Sequence, residues 1–462
     1  MKKLIAAAMS LTVAALGVFA FGCKAEEHEH TFAANWSSDA NYHWHASTCG
    51  HPETEKKESH SIVNGKCEIC DYTPSHQHSY IKSVHEADCT QEGYELYECA
   101  CGASYRQNPV PALGHELNMV KVEPTCTQEG SITYSCTHCD YTRKTTLSAE
   151  HKYNWYEGED YFECIECFHR IPATQGLQFR EIWSNPFGGL FGGNKGDFLG
   201  YSLDSAAEAS GDVIIPAYFE DEEVTDISNY AFQDNFDITS VQIPETIKEI
   251  GLMAFENCSL ASVNIPTGME YIGSMAFSGC TNLQTVKFYG DVECIEAWAF
   301  SDTAIIADEN YYDNGAFYID GHLIDASGAK GDFTVKADTL SIAARAFEDS
   351  SVTKVNLPRG LKYISEYAFL ECETLEEIKI PEKITTITYK CFNGCTALKT
   401  IYIPLSVELI DNGALGQCTS LETINYGGSP DDWAAINKEA GDGEVWEAWD
   451  EGSGRYTVVY AK

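Results

Sequence analysis

The feature that most constrains this chain is a short string that returns at a fixed interval. It reads Val241-Gln-Ile-Pro244, Val263-Asn-Ile-Pro266, Val355-Asn-Leu-Pro358, Ile378-Lys-Ile-Pro381 and Ile401-Tyr-Ile-Pro404, and the last three copies lie 23 residues apart. A period of this size means one supersecondary unit used repeatedly. No single unit can bury its own apolar face, so neighbours must stack into a solenoid. A second mark follows: Ala231-Phe232, Ala254-Phe255, Ala276-Phe277, Ala299-Phe300, Ala346-Phe347 and Ala368-Phe369, drifting to Cys391-Phe392 and Ala414-Leu415. Three residues after the Phe, or after Leu415, come Asn235, Cys258, Cys280, Thr303, Ser350, Cys372, Cys395 and Cys418.

Each mark has a physical role. Val-x-Ile has period two, so both side chains point inward from a short strand. Pro ends that strand, where no further ladder hydrogen bond is needed. Ala-Phe packs a layer between successive turns. The small, slightly polar position after it suits an inward ladder that meets backbone groups. The cysteines at that position read as buried thiols. A disulfide between stacked Cys372, Cys395 and Cys418 is geometrically conceivable but awkward on rigid turns.

The set Leu260-x-x-Val263-x-Ile265-Pro266, Ile272-Gly273, Ala276-Phe277 and Gly279-Cys280 resembles the BspA-like leucine-rich repeat family. The resemblance covers residues 172–462. It implies a mainly β fold, with a C-terminal right-handed β-solenoid displayed on a bacterial surface. Residues 172–211 would lead in and hold a Gly-rich loop, 212–425 would form the solenoid, and 426–462 would cap it. Trp433 falls in the family's capping segment, and a closing strand is expected at Arg455 to Tyr460. Caps are needed because a bare end turn exposes core and an open sheet edge. Thr303 to Ser350 spans two repeat lengths plus one residue and contains a hairpin pattern, Ala316 to Ile324, around Asp320-Gly321. Trp183 to Phe198 has too much Gly for a regular element and too many aromatics for a plain linker.

The outward residues of the strands form a stripe. It contains Gln242, Asn264, Lys287, Asn356, Lys379 and Tyr402, with Lys354 and Glu377. The whole chain has 70 acidic and 30 basic residues, a net charge of −40, yet this stripe is nearly free of acids. It is the candidate ligand-binding face. The competing explanation is that strands simply favour Thr and Tyr over Asp.

Residues 30–171 differ in composition. His78, Cys89, Cys99 and Cys101 form one set, and His115, Cys126, Cys136 and Cys139 form a second with the same His-to-Cys spacing. Cys89-Thr-Gln-Glu-Gly and Cys126-Thr-Gln-Glu-Gly repeat literally. Gly93 and Gly130 are expected to make turns, and Tyr94 to Cys99 and Ile132 to Cys136 to be strands. Each strand runs into a Cys-x-Cys or Cys-x-x-Cys turn, which aims two thiolates at one point. One more Cys and one His complete a tetrahedral zinc site. Units this small need a metal or a disulfide to fold. Partial sets flank them: His60, Cys67 and Cys70, and His151, Cys164 and Cys167. His43, His45, Cys49 and His51 lie further back, before His60. Structural zinc in zinc-ribbon-like modules is the favoured reading, since disulfides do not need the repeated histidine; disulfides or unliganded thiols are the alternatives. The region resembles His/Cys modules of surface proteins of anaerobic bacteria, which serve as stalks or spacers. A catalytic metalloprotease helix is excluded, because Met119 stands where the second His belongs after His115-Glu116.

Lys2 and Lys3 precede an apolar run from Leu4 to Phe21, a signal peptide over residues 1–22. Ala20-Phe21-Gly22-Cys23 resembles a bacterial lipobox, with Ala20 where Leu is preferred and Phe21 where a small residue is preferred. Cys23 is therefore the candidate lipidation site, with residues 23–29 as tether. Ordinary cleavage and secretion is the alternative. The acidity argues against nucleic acid as a partner. No catalytic constellation stands out. The expectation is a non-enzymatic, lipid-anchored surface protein that binds an extracellular protein or glycan. The alternatives are a zinc-handling lipoprotein and a surface enzyme acting on polymers.

Overall fold

The computed structural model describes residues 31–39, 41–49, 54–63, 66–70, 72, 79–100, 102–184, 196–438, 450 and 452–461. The chain forms two compact units. One comprises Met1–Ser83 with Leu96–Tyr105, the other Val84–Glu95 with Arg106–Lys462. The Gly-rich segment between Trp183 and Phe198 lies mostly outside the described residues, as does Cys23.

The first unit carries an antiparallel sheet of Phe32–Ser38, Tyr42–Ser47 and Thr54–Ser59, and a small hairpin of Ile62–Val63 and Lys66–Cys67. Aromatic and histidine rings pack together on it. Trp36 meets His43 edge-on at 4.7 Å and His45 at 4.0 Å.

In the second unit, Leu117–Val122, Gly130–Cys136 and Thr142–Leu147 make an antiparallel sheet with Gly130–Cys136 in the centre. Gly93–Cys99, whose residues are divided between the two units, is also a strand, as its sequence suggests. Gly93 and Gly130 do not make the turns expected of them. Neither has positive φ, and each begins its strand. Glycine is required there because a Cβ would collide with the chain just before it, at Ala87 and His85 or at Val122 and Pro124. Leu117, Ile132, Tyr134 and Leu147 form the small core of the Leu117–Leu147 sheet, and Tyr289 of the solenoid packs against it.

The next module is built into the solenoid. Tyr153–Trp155, Tyr161–Cys164 and Arg170–Pro172 pair antiparallel, and Tyr153–Trp155 then pairs in parallel with Tyr218–Phe219. Tyr153, Phe162 and Cys164 join the same buried core as Phe232 and Phe255. Trp155 packs among Phe162, Phe179 and Phe219. This module therefore covers the end of the repeat stack that would otherwise expose apolar side chains.

The repeats themselves stack as their spacing dictates. Ile378 aligns with Ile401 and Ile401 with Ile424, in parallel strands one repeat apart. A second ladder of two-residue strands includes Glu249–Ile250, Tyr271–Ile272 and Cys294–Ile295. Phe232, Phe255, Phe277 and Phe300 stack with ring centroids 4.6, 5.2 and 5.4 Å apart, and Phe347, Phe369 and Phe392 at 4.7 and 5.0 Å. These separations are close to the strand spacing of about 4.8 Å, so one backbone repeat sets both.

The small polar position does what its chemistry allows. The thiols of Cys258, Cys280, Cys372, Cys395 and Cys418 each donate to the Phe carbonyl of the preceding turn, at 3.0–3.2 Å. Asn235 starts the ladder by donating to Ala206 O and Ala209 O. Burial pushes the Cys280 and Cys418 thiols up to about 12, so they stay protonated and inert. None of the described cysteines forms a disulfide.

The irregular double repeat contains the expected hairpin, Ala316–Ile319 with His322–Asp325. Asp320 takes positive φ at its turn and accepts from Phe288 N–H. His322 is buried; its Nδ1 faces Ser341 Oγ at 2.7 Å and its Nε2 faces Gly290 O at 3.3 Å. Here the core divides into two clusters. At the far end, Pro430–Ala435 forms a helix with a Ser429/Asp432 capping box, Trp433 packs on Tyr426, and Thr457–Tyr460 pairs with Thr423–Tyr426.

Candidate metal centres and strand face

Among the described residues, three groups of four side chains bring their donor atoms within 4.8 Å of one another: His43, His60, Cys67 and Cys70; Cys89, His115, Cys136 and Cys139; Cys126, His151, Cys164 and Cys167. Each could hold a metal ion. The grouping corrects the sets read from sequence. Cys89 does not join Cys99, and Cys126 does not join Cys136 and Cys139. Each cysteine of a Cys-Thr-Gln-Glu-Gly string serves the following module. The physical reason lies in the strand that follows it. That strand carries the chain away from the cysteine to its own knuckle at the other end, while the next His returns beside the next knuckle.

Two predicted ligands, His78 and Cys101, lie outside the described residues. Cys99 is described but belongs to none of the three groups. His43, one of the further histidines before His60, completes the first group. It stands where the other two groups have a cysteine.

The knuckles share one construction. The N–H of Cys67, Cys136 and Cys164 donates to the carbonyl of Tyr72, Tyr141 and His169, respectively, each at 2.9 Å. The turn so closed points backbone N–H groups at the first sulfur, as His138 N–H does toward Cys136 Sγ at 3.4 Å. Burial pushes the Cys136 thiol up, but hydrogen bonds from the turn and from His115 outweigh it and bring it down to about 6. Cys67 and Cys164 reach about 6 by the same opposition. Cys89 goes the other way, to about 11, through burial and the two neighbouring thiols.

The residue two places after each Cys-x-x-Cys also packs its ring on the ligand histidine. His60 lies on Tyr72 at 4.0 Å, His115 on Tyr141 at 4.1 Å, and His151 on His169 at 4.8 Å. The repeated Cys-Asp-Tyr at 70–72 and 139–141 was the available signal for this. His60 Nε2 lies 2.9 Å from Asp39 O and must donate to it, which leaves Nδ1 as an acceptor 3.5 Å from Cys70 Sγ. Such a partner fixes the tautomer that a metal needs.

The strand face is also in place, with an unexpected neighbour. Gln242, Asn264 and Lys379 are exposed, while Lys287, Asn356 and Tyr402 are half-buried. The Leu117–Leu147 module sits beside them, along the turns that follow the strands. Lys121 Nζ reaches Glu245 Oε2 and Thr267 Oγ1, both at 2.8 Å. Tyr134 OH donates to Tyr289 O at 3.2 Å. His115 N–H donates to Ala337 O at 3.1 Å, and Arg359 N–H to Leu113 O at 3.0 Å. Lys383 Nζ pairs with Glu116 at 3.1 Å. Gly360 is required here, since a Cβ would overlap His115 O. Two grooves result between module and face. One, of about 320 Å³, includes Gln242 and Asn264; the other, of about 460 Å³, includes Asn356, Lys379 and Tyr402. Lys287 lines neither of these two grooves, and its Nζ lies over the Tyr289 ring at 4.9 Å.

Among solved structures, the chain is similar to several bacterial proteins. A leucine rich cell surface protein from Faecalibacterium prausnitzii is 25% identical, with a TM-score of 0.27, over 50% of this chain and 64% of that one, less than two thirds of its length. The pneumococcal vaccine antigen PcpA is 12% identical, with a TM-score of 0.23, over 63% of this chain and 87% of that one. A leucine-rich repeat protein from Bacteroides ovatus is 16% identical, with a TM-score of 0.20, over 68% and 99%. No curated protein matches significantly. Among the described residues, no helix is long and apolar enough to cross a membrane. Residues 215–317 and 331–438 match the model of the BspA type leucine rich repeat region in six copies. The solenoid, with its Phe and Cys ladders, is thus a BspA-type leucine-rich repeat region.

Proposed function

We propose that this chain is a non-enzymatic cell-surface lipoprotein. Its solenoid presents the strand face to an extracellular protein or glycan, and structural zinc closes its Cys/His modules. The observation that carries the binding reading is the strand face itself: a row of Asn, Gln, Lys and Tyr, held in register by the repeat and short of acids in a chain of net charge −40. The match of the solenoid to the BspA-type repeat supports partner binding over catalysis. The lipid anchor at Cys23 rests on the sequence pattern alone. Binding of the mature chain to immobilised extracellular proteins and glycans tests the face. Charge reversal of Lys287 and Lys379 together should abolish capture, and unchanged capture would refute it.

Zinc is supported by the donor geometry. A tetrahedral zinc with bonds of about 2.3 Å to sulfur and about 2.0 Å to nitrogen sets ligand edges of roughly 3.8 Å (S to S) and 3.5 Å (S to N). Cys89 and Cys136 sulfurs are 3.8 Å apart, and Cys126 and Cys164 sulfurs 3.6 Å. Cys139 and Cys167 sulfurs lie 3.4 and 3.3 Å from the Nδ1 of His115 and His151. Sulfurs bonded to each other would be about 2.05 Å apart. Bound zinc would neutralise the gathered thiolates and join the modules. One observation favours zinc handling: Cys139 and Cys167 are exposed. Slow release to a chromophoric chelator, over hours, fits a structural role, whereas release within seconds fits handling.

A further inference from the structure

The larger groove is a joint product of the two regions. Its floor is the outward row Thr334, Asn356, Lys379, Tyr402 and Asn425, one residue from each of five stacked strands. Its side wall is the segment Val110 to Leu113, which precedes the ligand His115 and is hydrogen-bonded to Arg359. Four steps of about 4.8 Å make the floor roughly 19 Å long, the span of about six extended residues. A trough of this length accepts an extended stretch of chain.

Its chemistry selects among chains. The wall is apolar: Val110, Pro111, Ala112 and Leu113, with Val110 49% and Leu113 37% exposed. The carboxylates at the floor are engaged, Glu377 by Lys354 and Glu382 by Tyr402 OH at 3.1 Å. Lys379 Nζ lies over the Tyr402 ring at 4.9 Å and has no carboxylate partner among the described residues. An accessible ammonium beside an apolar wall, in a chain of net charge −40, is complementary to a carboxylate flanked by apolar side chains. Resting on the strand-face reading, we propose that this groove binds an extended acidic segment of a partner protein. Its carboxylate would meet Lys379 and its apolar side chains the Val110–Leu113 wall.

The test uses the full mature chain and three probes in fluorescence anisotropy: a labelled (Glu-Val)4 octapeptide, a labelled (Lys-Val)4 octapeptide and unlabelled dextran as competitor. The acidic peptide should bind and the basic one should not, although net charge alone favours the reverse. Lys379→Glu should weaken the acidic peptide about tenfold, and Val110→Asp about fivefold, with no loss of fold or metal since both side chains are exposed. No binding of the acidic peptide at about 1 mM, preference for the basic one, or displacement by dextran would overturn the proposal. If Lys379→Glu has no effect, the Lys379–carboxylate contact and this proposal fall, while the strand face is judged separately by joint reversal of Lys287 and Lys379. If Lys379→Glu weakens binding and Val110→Asp does not, the face stands and the two-walled groove falls.

Discussion

The solenoid and the Cys/His modules both place cysteine at repeated positions, yet they use it in opposite ways. In the solenoid each thiol is a small buried donor to the carbonyl of the preceding turn, and stability comes from stacked Phe rings and inward Ile and Val. In the modules the cysteines converge in threes and twos on histidines, and the Leu117–Leu147 sheet has a core of only four residues, although the Tyr153–Pro172 module shares the solenoid core. A turn of the solenoid gains its core from its neighbours through shape. With metal bound as proposed, the Leu117–Leu147 and Tyr153–Pro172 modules would each be tied to the preceding one through Cys89 and Cys126. The two strategies should therefore respond differently to the same insult.

The largest expected difference is in metal dependence. Binding of structural zinc contributes on the order of 10 kcal/mol to small domains that fold around it. Removing metal with a chelator, or replacing Cys136 by Ser, should strip hydrogen-exchange protection from Gly130–Cys136 and leave Thr400–Ile403 protected. Equal loss in both regions would erase the distinction. Phe277→Ala should do the converse. It opens a cavity between the rings of Phe255 and Phe300 and should cost about 3–5 kcal/mol in denaturant unfolding of the solenoid, with bound zinc unchanged.

Acid should also separate the regions. Burial in the irregular double repeat holds His322 down to about 4 from an ordinary value of 6.5. The unfolded chain takes up this proton first as pH falls. The contribution is thus fully present above about pH 6.5 and is lost between there and pH 4, by about 3 kcal/mol. A His322→Phe variant should lack this part of the acid slope when unfolding is followed at a series of pH values; an unchanged slope would assign it to other groups. A smaller effect is expected from Tyr141→Ala. Loss of the ring stacked on His115 should weaken zinc by about tenfold in a competition titration, without releasing the module.

Much of the solenoid was legible in advance because its marks are local and periodic. Val-x-Ile-Pro, Ala-Phe and the Cys position each predict an orientation, and the register confirms it at Ile378, Ile401 and Phe369. The hairpin at Asp320-Gly321 was legible for the same reason. The metal groups were legible only in part. A repeat shows which positions are equivalent, but it does not say which of two adjacent copies supply one site. The sequence therefore groups Cys89 and Cys126 with their own knuckles, whereas strand length carries them to the next. His43 was obscured because it replaces a cysteine. The contact between the second module and the solenoid turns had no sequence signal, since Lys121 and Glu245, or Gly360 and His115, are joined only by folding.

The most direct measurement concerns that borrowed cysteine. In the protein loaded with cadmium-113, a single metal resonance should couple to the β protons of Cys89, Cys136 and Cys139 and to the ring of His115. A resonance that couples Cys126 with Cys136 and Cys139 would contradict the interlocked arrangement and return each site to its own repeat.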